Sequence, residues 1–335
     1  GLPRFLYPRR KGKPGPAGRI NMKRYLIKRL LLLVPVLFGI TFLSFAMMYL
    51  AGSDAVLQQM DAMGLALSRE ALNAQRASLG LDKPFLVQYV TWLGRFLTGD
   101  MGTSYVSGEE VFSVFLSKLP ATLELAAVSM ILTLLISLPL GILAAVRQNK
   151  WSDYLIRFAS FTGNSLPNFF VALVLMYLLS IRVPLFPVIA DGTGWKSVVL
   201  PSLTLAVAMS AKYLRQIRAA VLEELGEGYV TGGRARGIRF SVTHWKSVLP
   251  SCLVPILTLM TLSAGSLLGG TAIVESIFLW DGVGKMAVDA ISMRDYPVIQ
   301  AYVVWMALIY VLVNLVTDVL YQVLDPRIRL GGEKA

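Results

Sequence analysis

The sequence predicts an all-α, polytopic membrane protein with six transmembrane helices. Composition is the first reason: 55% of the 335 residues are hydrophobic and 16% are charged, where soluble domains carry about 25% charge. Run length is the second. A helix needs about 20 apolar residues to cross a bilayer, and residues 30–50 contain no charge. Further spans read at 121–146, 157–181, 198–214, 247–274 and 298–322, the fourth being the shortest. The third reason is the side on which basic residues fall.

A net charge of +12 raises the question of nucleic acid, and its distribution answers it. With the N-terminus inside, the inside segments hold 23 Lys and Arg residues and the outside segments nine. Acidic residues run the other way. This asymmetry is the positive-inside pattern, so the excess reads as topology and contact with anionic lipid. Both termini and residues 215–246 are then cytoplasmic, and no nucleic-acid partner is expected.

Residues 1–21 are rich in Arg, Lys, Pro and Gly and are expected to form a disordered basic extension, with Met22 reading as a natural start. Residues 22–50 hold a short tail and the first span, whose apolar run is too long for a cleavable signal. The external region 51–118 contains two helical runs, one from Ser68 through Arg76 and one from Pro84 to Phe96. It reads equally as a folded cap or as a docking surface for an external partner. Residues 119–329 form a five-helix core, with a short tail at 330–335. Pro139, Gly141 and Pro167 fall inside spans, where membrane helices accept breaks that neighbours re-satisfy. Pro167 is a candidate for the pathway or for an ordinary kink. Gly265 and Gly269 form a G-x-x-x-G pair that allows close helix approach. Cys252 and His244 are single, so neither a disulfide nor a metal site is expected.

Residues 211–246 are polar, charged and long. Ala219 to Leu225 are strong helix formers, Gly226 and Gly228 interrupt, and a second short helix from Tyr229 to Arg236 stops at Gly237. Two short helices across the membrane face would make a compact knob made positive by Arg234, Arg236 and Arg239. The plainer reading is a solvated loop that only satisfies topology.

Here the chain resembles the permeases of ABC importers, whose inner loop carries a glycine, nine residues, then I-x-L-P. Gly237 is followed by nine residues and then Ser247-Val248-Leu249-Pro250. The stretch Tyr229-Val230-Thr231-Gly232-Gly233-Arg234-Ala235-Arg236-Gly237 is similar to the YVRTARAKG variant of the peptide and nickel branch. It departs at Thr231, Gly232 and Gly233, and two helical glycines cost about 1 kcal/mol each, which questions the rigidity of this helix. Ser247 and Pro250 also stand where that branch usually has His and Arg. Gly270 to Gly284 resembles the branch pattern G-x-x-x-I/V-E-x-I-F-x-W-P-G-x-G, with Asp281 in place of proline. The likeness runs from about Met22 to Arg329.

The resemblance implies a type I ABC-importer permease fold and the first permease of a dipeptide, oligopeptide or nickel importer in the bacterial inner membrane. Such a subunit is not an enzyme and binds no cofactor. This sequence contains no G-x-x-x-x-G-K-[ST] phosphate loop, so ATP and Mg would sit on two partner ATPase subunits. A second, non-identical permease and an external solute-binding protein complete the expected partners. The ATPase-coupling residues carried over are Tyr229, Val230, Arg234, Ala235, Arg236, Gly237, Ile238, Leu249 and Pro250. Pro167, Glu275, Asn314 and Asp318 are candidates for the pathway or for helix pairing, because an acid within a span marks one or the other. Glu275 either faces the pathway or pins a re-entrant loop over 276–297. The rival class, an ion-coupled secondary transporter or channel, should show inverted repeats and several intramembrane charges; no convincing repeat is present.

Overall fold

Length separates helices that can cross a bilayer from helices that dock against them. The computed structural model describes residues 22–50, 69–78, 80–190, 194–252, 256, 259–260, 265, 267, 269 and 271–324. The elements are α1 (Met22–Leu50), α2 (Arg69–Ser78), α3 (Phe85–Leu97), α4 (Val111–Val146), α5 (Trp151–Ser165) and α6 (Asn168–Met176), which continues as a π-helical stretch, Tyr177–Arg182. There follow α7 (Trp195–Leu225), α8 (Gly228–Ala235) and α9 (Phe240–Thr243), which runs into a π-helical turn, His244–Val248. The last are α10 (Ala272–Phe278), α11 (Val283–Met293) and α12 (Tyr296–Leu324). Among the described residues the sole β feature is an isolated bridge between Thr103 and Glu110.

Four segments are long and apolar enough to span, namely Leu33–Leu50, Val111–Val146, Trp195–Leu225 and Tyr296–Thr317; α5 and α6 make a fifth if that bent pair is one span. The expected span over 247–274 is described only in part, and its described residues from 249 to 269 are helical. The basic extension 1–21 and the tail 330–335 lie outside the described residues.

Two expectations need correction. The third span is not continuous: α5 and α6 meet at 106° across Leu166 and Pro167, both extended (ψ 132° and 143°). Proline disfavours helical geometry in the residue before it, which is why the break falls there. The fourth span is not short either. Nothing between Lys212 and Leu225 breaks a helix, so α7 runs 31 residues to Gly226, and residues 215–225 belong to it rather than to a separate loop.

The seam between α4 and α7 organises the fold. Ser129, Thr133, Ser137 and Gly141 recur every fourth residue of α4 and are buried. The hydroxyls of Ser129 and Thr133 donate to carbonyls one turn back, at Leu125 (2.6 Å) and Ser129 (2.7 Å). These small residues let backbones approach. Ser210 of α7 reaches the Thr133 carbonyl at 3.4 Å, and Ile217 lies so near Gly141 that a β-carbon there would stand 2.7 Å from its Cγ2.

α4 is 36 residues long, about 54 Å at 1.5 Å per residue, well beyond the ~30 Å apolar core of a bilayer. Its first turns therefore serve another purpose. Val111 and Phe115 join Met101, Val283, Met286 and Val298 in a separate apolar core at that end. A second core at the opposite end gathers Tyr213, Ile217, Val221, Val230, Val248 and Cys252. α3 packs along α1 through rings: Tyr89 meets Phe42 edge-on at 5.4 Å, Trp92 lies 5.6 Å from Phe45, and the Tyr89 hydroxyl bonds Thr41 Oγ1 at 2.9 Å. The region 51–118 thus includes a helix that folds back onto the first span.

Filling the α4/α7 seam should destabilise the protein. Overpacked cores lose about 1–3 kcal/mol, so Gly141→Val should lower the detergent melting temperature, and adding Ile217→Ala should recover most of the loss. An unchanged melt for Gly141→Val would show that the seam is not closely packed.

Candidate functional site: a basic knob and a buried clasp

α7 packs against the second apolar core as far as its last residue, Leu225, and is capped by Gly226; Glu227 then turns the chain into α8. α8 is closed by a Schellman motif. The Gly237 N–H donates to the Arg234 carbonyl (3.0 Å) and the Ile238 N–H to the Gly233 carbonyl (3.1 Å). That geometry needs a left-handed residue after the helix, and Gly237 supplies it at φ +75°. Val230 anchors α8 by burying its side chain in the core with Tyr213, Ile217 and Val248.

Gly232 and Gly233, whose presence questioned this helix, are accommodated. Gly233 is buried, with the Thr243 hydroxyl 3.5 Å and Ile238 Cδ1 3.9 Å from where a β-carbon would lie. Both positions leave room for alanine, so neither glycine is required by the packing.

Arg234, Ala235, Arg236 and Arg239 are exposed, as are Tyr229, Ile238 and Pro250. Leu249 is buried. The Arg234 guanidinium sits 5.2 Å above the Phe240 ring, which stacks on His244 at 5.7 Å. Burial pushes the His244 pKa down, so the imidazole stacked on Phe240 favours its neutral form. The Tyr229 hydroxyl donates to Glu224 Oε1 at 2.8 Å; although the ring is exposed, desolvation of the hydroxyl, reinforced by this acceptor, pushes its pKa up to about 12. The knob thus presents arginines, Ile238 and exposed Trp245 on one short, fixed element. Phe240 escaped sequence reasoning, although it is the lone aromatic between Val230 and Thr243.

At the far end Glu275 is fully buried. Its Oε1 accepts from the Thr122 hydroxyl (2.9 Å) and its Oε2 from the Lys285 N–H (2.9 Å) in the first turn of α11. A carboxylate is favoured at a helix N-terminus. Thr122 in turn accepts the Val283 N–H at 2.8 Å. Gly282 and Gly284 are demanded by this clasp, because a β-carbon on either would run into the Glu275 carboxylate. Trp280 closes it, donating from Nε1 to the Ala121 carbonyl at 2.9 Å. Asp281, which replaces a proline of the branch pattern, pairs with Lys118 at 2.5 Å. Asp295 ties the same end together, accepting from the Ser104 hydroxyl (2.5 Å) and the Tyr105 N–H (3.1 Å).

Of the four candidates for the pathway or for helix pairing, Glu275 has both carboxylate oxygens bonded, to the Thr122 hydroxyl and to the Lys285 N–H within the segment 276–297. Pro167 is exposed at the bend. Asn314 is half-buried on α12, and Asp318 follows one turn later on the same helix; the Asp318 side chain lies outside the described residues. Among the described residues no hydrogen bond or ion pair joins Pro167, Glu275 and Asn314.

The family profile described as "Binding-protein-dependent transport system inner membrane component" matches residues 137–330. The chain belongs to that family. A second profile, for the N-terminal part of such membrane components, matches residues 22–126. The chain is similar to the oligopeptide transport system permease protein AppB of Bacillus subtilis, 39% identical over 317 residues, covering 92% of this chain and 99% of that protein. It is similar also to the glutathione transport system permease protein GsiC of Salmonella typhimurium, 38% identical over 312 residues, covering 92% and 99%. Among solved structures, the inward-facing MetNI methionine ABC transporter shares the fold, with a TM-score of 0.54 at 18% identity over 63% of this chain and 96% of that one. An amino acid ABC transporter matches with a TM-score of 0.51 at 16% identity over 63% and 94%.

The protein is thus a multi-pass inner-membrane permease of an ABC importer, a transport subunit whose ATPase is a separate chain. The ion-coupled class is set aside on the same ground. The clasp yields a test within the permease. Glu275→Gln keeps the shape but puts a donor where the carboxylate accepts, and a buried unmatched polar group costs about 1–3 kcal/mol. The variant should melt earlier and be cut faster by protease within residues 276–297. An unchanged digestion pattern would show that Glu275 does not hold this segment.

Proposed function

We propose that the permease is one of two non-identical membrane subunits of a peptide importer, and that the knob formed by residues 228–248 seats in a groove of an ATPase subunit. The observation that carries this reading is the closed, arginine-bearing α8, fixed by Val230 to the end of a 31-residue helix. A rigid knob on a long helix transmits displacement, whereas a solvated loop does not. Tyr229, Arg234, Ala235, Arg236, Gly237, Ile238 and Pro250 form its contact surface. Val230 and Leu249 act beneath, as anchors. Two ATPase subunits carry ATP and Mg, and an external binding protein delivers the solute. Relatives named for oligopeptide and glutathione transport support a peptide rather than nickel. Positive-inside charge supports cytoplasmic termini and a cytoplasmic knob.

Gly237 tests the coupling. Space is open around a β-carbon there, so any penalty comes from the left-handed backbone, about 1–2 kcal/mol for a residue other than Gly or Asn. In vesicles holding the full transporter, Gly237→Val should reduce uptake or release the ATPase at normal permease levels, while Gly237→Asn stays close to the parent. Normal uptake by Gly237→Val at normal ATPase occupancy would place the coupling site elsewhere. The permease reconstituted without a second permease should show no ATP-stimulated uptake.

Sidedness is tested by thiol labelling on a Cys252→Ser background. Glu109→Cys should react with an impermeant reagent from outside and Arg236→Cys only from the cytoplasmic face. The reverse pattern would invert the topology.

A further inference from the structure

Asp153 is the most enclosed charge near the knob end, with no exposed surface. Its carboxylate is held by a fork: Arg218 Nε donates to Oδ1 at 2.8 Å and Arg218 Nη2 to Oδ2 at 2.9 Å. The Asn149 N–H adds a third bond at 2.9 Å, and Arg157 approaches to 3.5 Å. Asp153 stands in the first turn of α5, and Arg218 stands on α7 about two turns before the knob. Farther along the same two helices, Ser160 donates to the Ala211 carbonyl at 2.5 Å. Gly163 leaves only 3.3 Å between a would-be β-carbon and that of Ala211. The pairings 153 with 218 and 160 with 211 make α5 antiparallel to α7 and fasten it along its length. α5 then ends at the 106° bend into α6.

A buried ion pair is weak evidence for stability, because desolvation offsets its attraction. What a planar two-bond fork does supply is fixed geometry. Here it fixes the helix that bears the knob to the helix that enters the bend. We propose that the Arg218–Asp153 fork is a strut that carries movement of the knob to the bend at Leu166 and Pro167, so that α5 and the knob end of α7 move as one body during transport. This rests on the importer reading above. Arg218 and Asp153 are positioning residues, since neither faces solute nor nucleotide in this role.

The test uses the complete transporter with its partner permease, ATPases and binding protein in proteoliposomes. Arg218→Met keeps length and removes the fork. Uptake should fall about tenfold while ATP hydrolysis stays within about twofold of the parent, and Arg218→Lys should recover part of the uptake. A second arm needs no Arg218→Met protein. On a Cys252→Ser background, Asp153→Cys with Arg218→Cys should transport poorly, regain uptake when joined by a short bis-methanethiosulfonate, and lose it again on reduction. Unchanged uptake by Arg218→Met, a proportional fall of uptake and hydrolysis together, or a cross-link that restores nothing would overturn the strut. If Arg218→Met fails to reach the membrane, the cysteine pair alone decides. A parent transporter without ATP-dependent uptake would instead overturn the importer reading, and the strut with it.

Discussion

Close approach of α4 and α7 sets the position of everything else. Lipid tails supply no hydrophobic drive for helix association, so two helices meet at full length only where small side chains admit dispersion contacts. Ser129, Thr133, Ser137 and Gly141 provide that surface, and Ile217 fills the notch at Gly141. From this spine the two ends are built differently. α4 overshoots at one end, where Val111 and Phe115 seed an apolar core with α11 and α12. α7 overshoots at the other, where Ile217 and Val221 seat the knob through Val230.

Buried charge follows the same plan. Glu275, Asp295 and Asp153 are each almost wholly enclosed, and each accepts at least two hydrogen bonds, one or more of them from a segment distant in sequence. A buried carboxylate is tolerable only when its oxygens are matched, so each such residue forces two segments to stay together. All three lie near the ends of apolar helices and act as fasteners. An acid within a span marks either a pathway or a pairing, and the oxygens of Glu275 are taken by Thr122 and by the start of α11.

Local signals in the sequence reach far into this fold. Apolar run length locates α1, α4 and α12, and the stop at Gly226 and the turn at Gly237 follow from glycine alone. The helices at Arg69–Ser78 and Phe85–Leu97 lie within a residue or two of their sequence-based limits. What escaped depends on partners far along the chain. Arg218 meets Asp153 across 65 positions and Thr122 meets Glu275 across 153, and no periodicity within either helix encodes those meetings. The ring contacts between α1 and α3 escaped for the same reason, although Phe85, Tyr89, Trp92 and Phe96 already form one face at helical spacing. Pro167 marked a break, but its angle is set by how α5 and α6 each pack on α7, which proline does not specify.

The knob shows how a weak local sequence can form a fixed element. Eight residues with glycines at 228, 232 and 233 have no independent helical stability, since isolated helices shorter than about 12–15 residues are marginal even when alanine-rich. Order is imposed from outside. Val230 is locked in the core below, the Schellman bonds tie Gly237 and Ile238 to the last turn, and Arg234 lies over Phe240. Each support belongs to a different neighbour: α7 and the π-helical turn through Val230, the turn at Gly237, and α9 through Phe240. A shift in any one is therefore felt by α8 as a whole. A longer helix rich in its own propensity would depend less on its surroundings. This one holds its shape because its surroundings do, which makes it a faithful reporter of where the end of α7 stands.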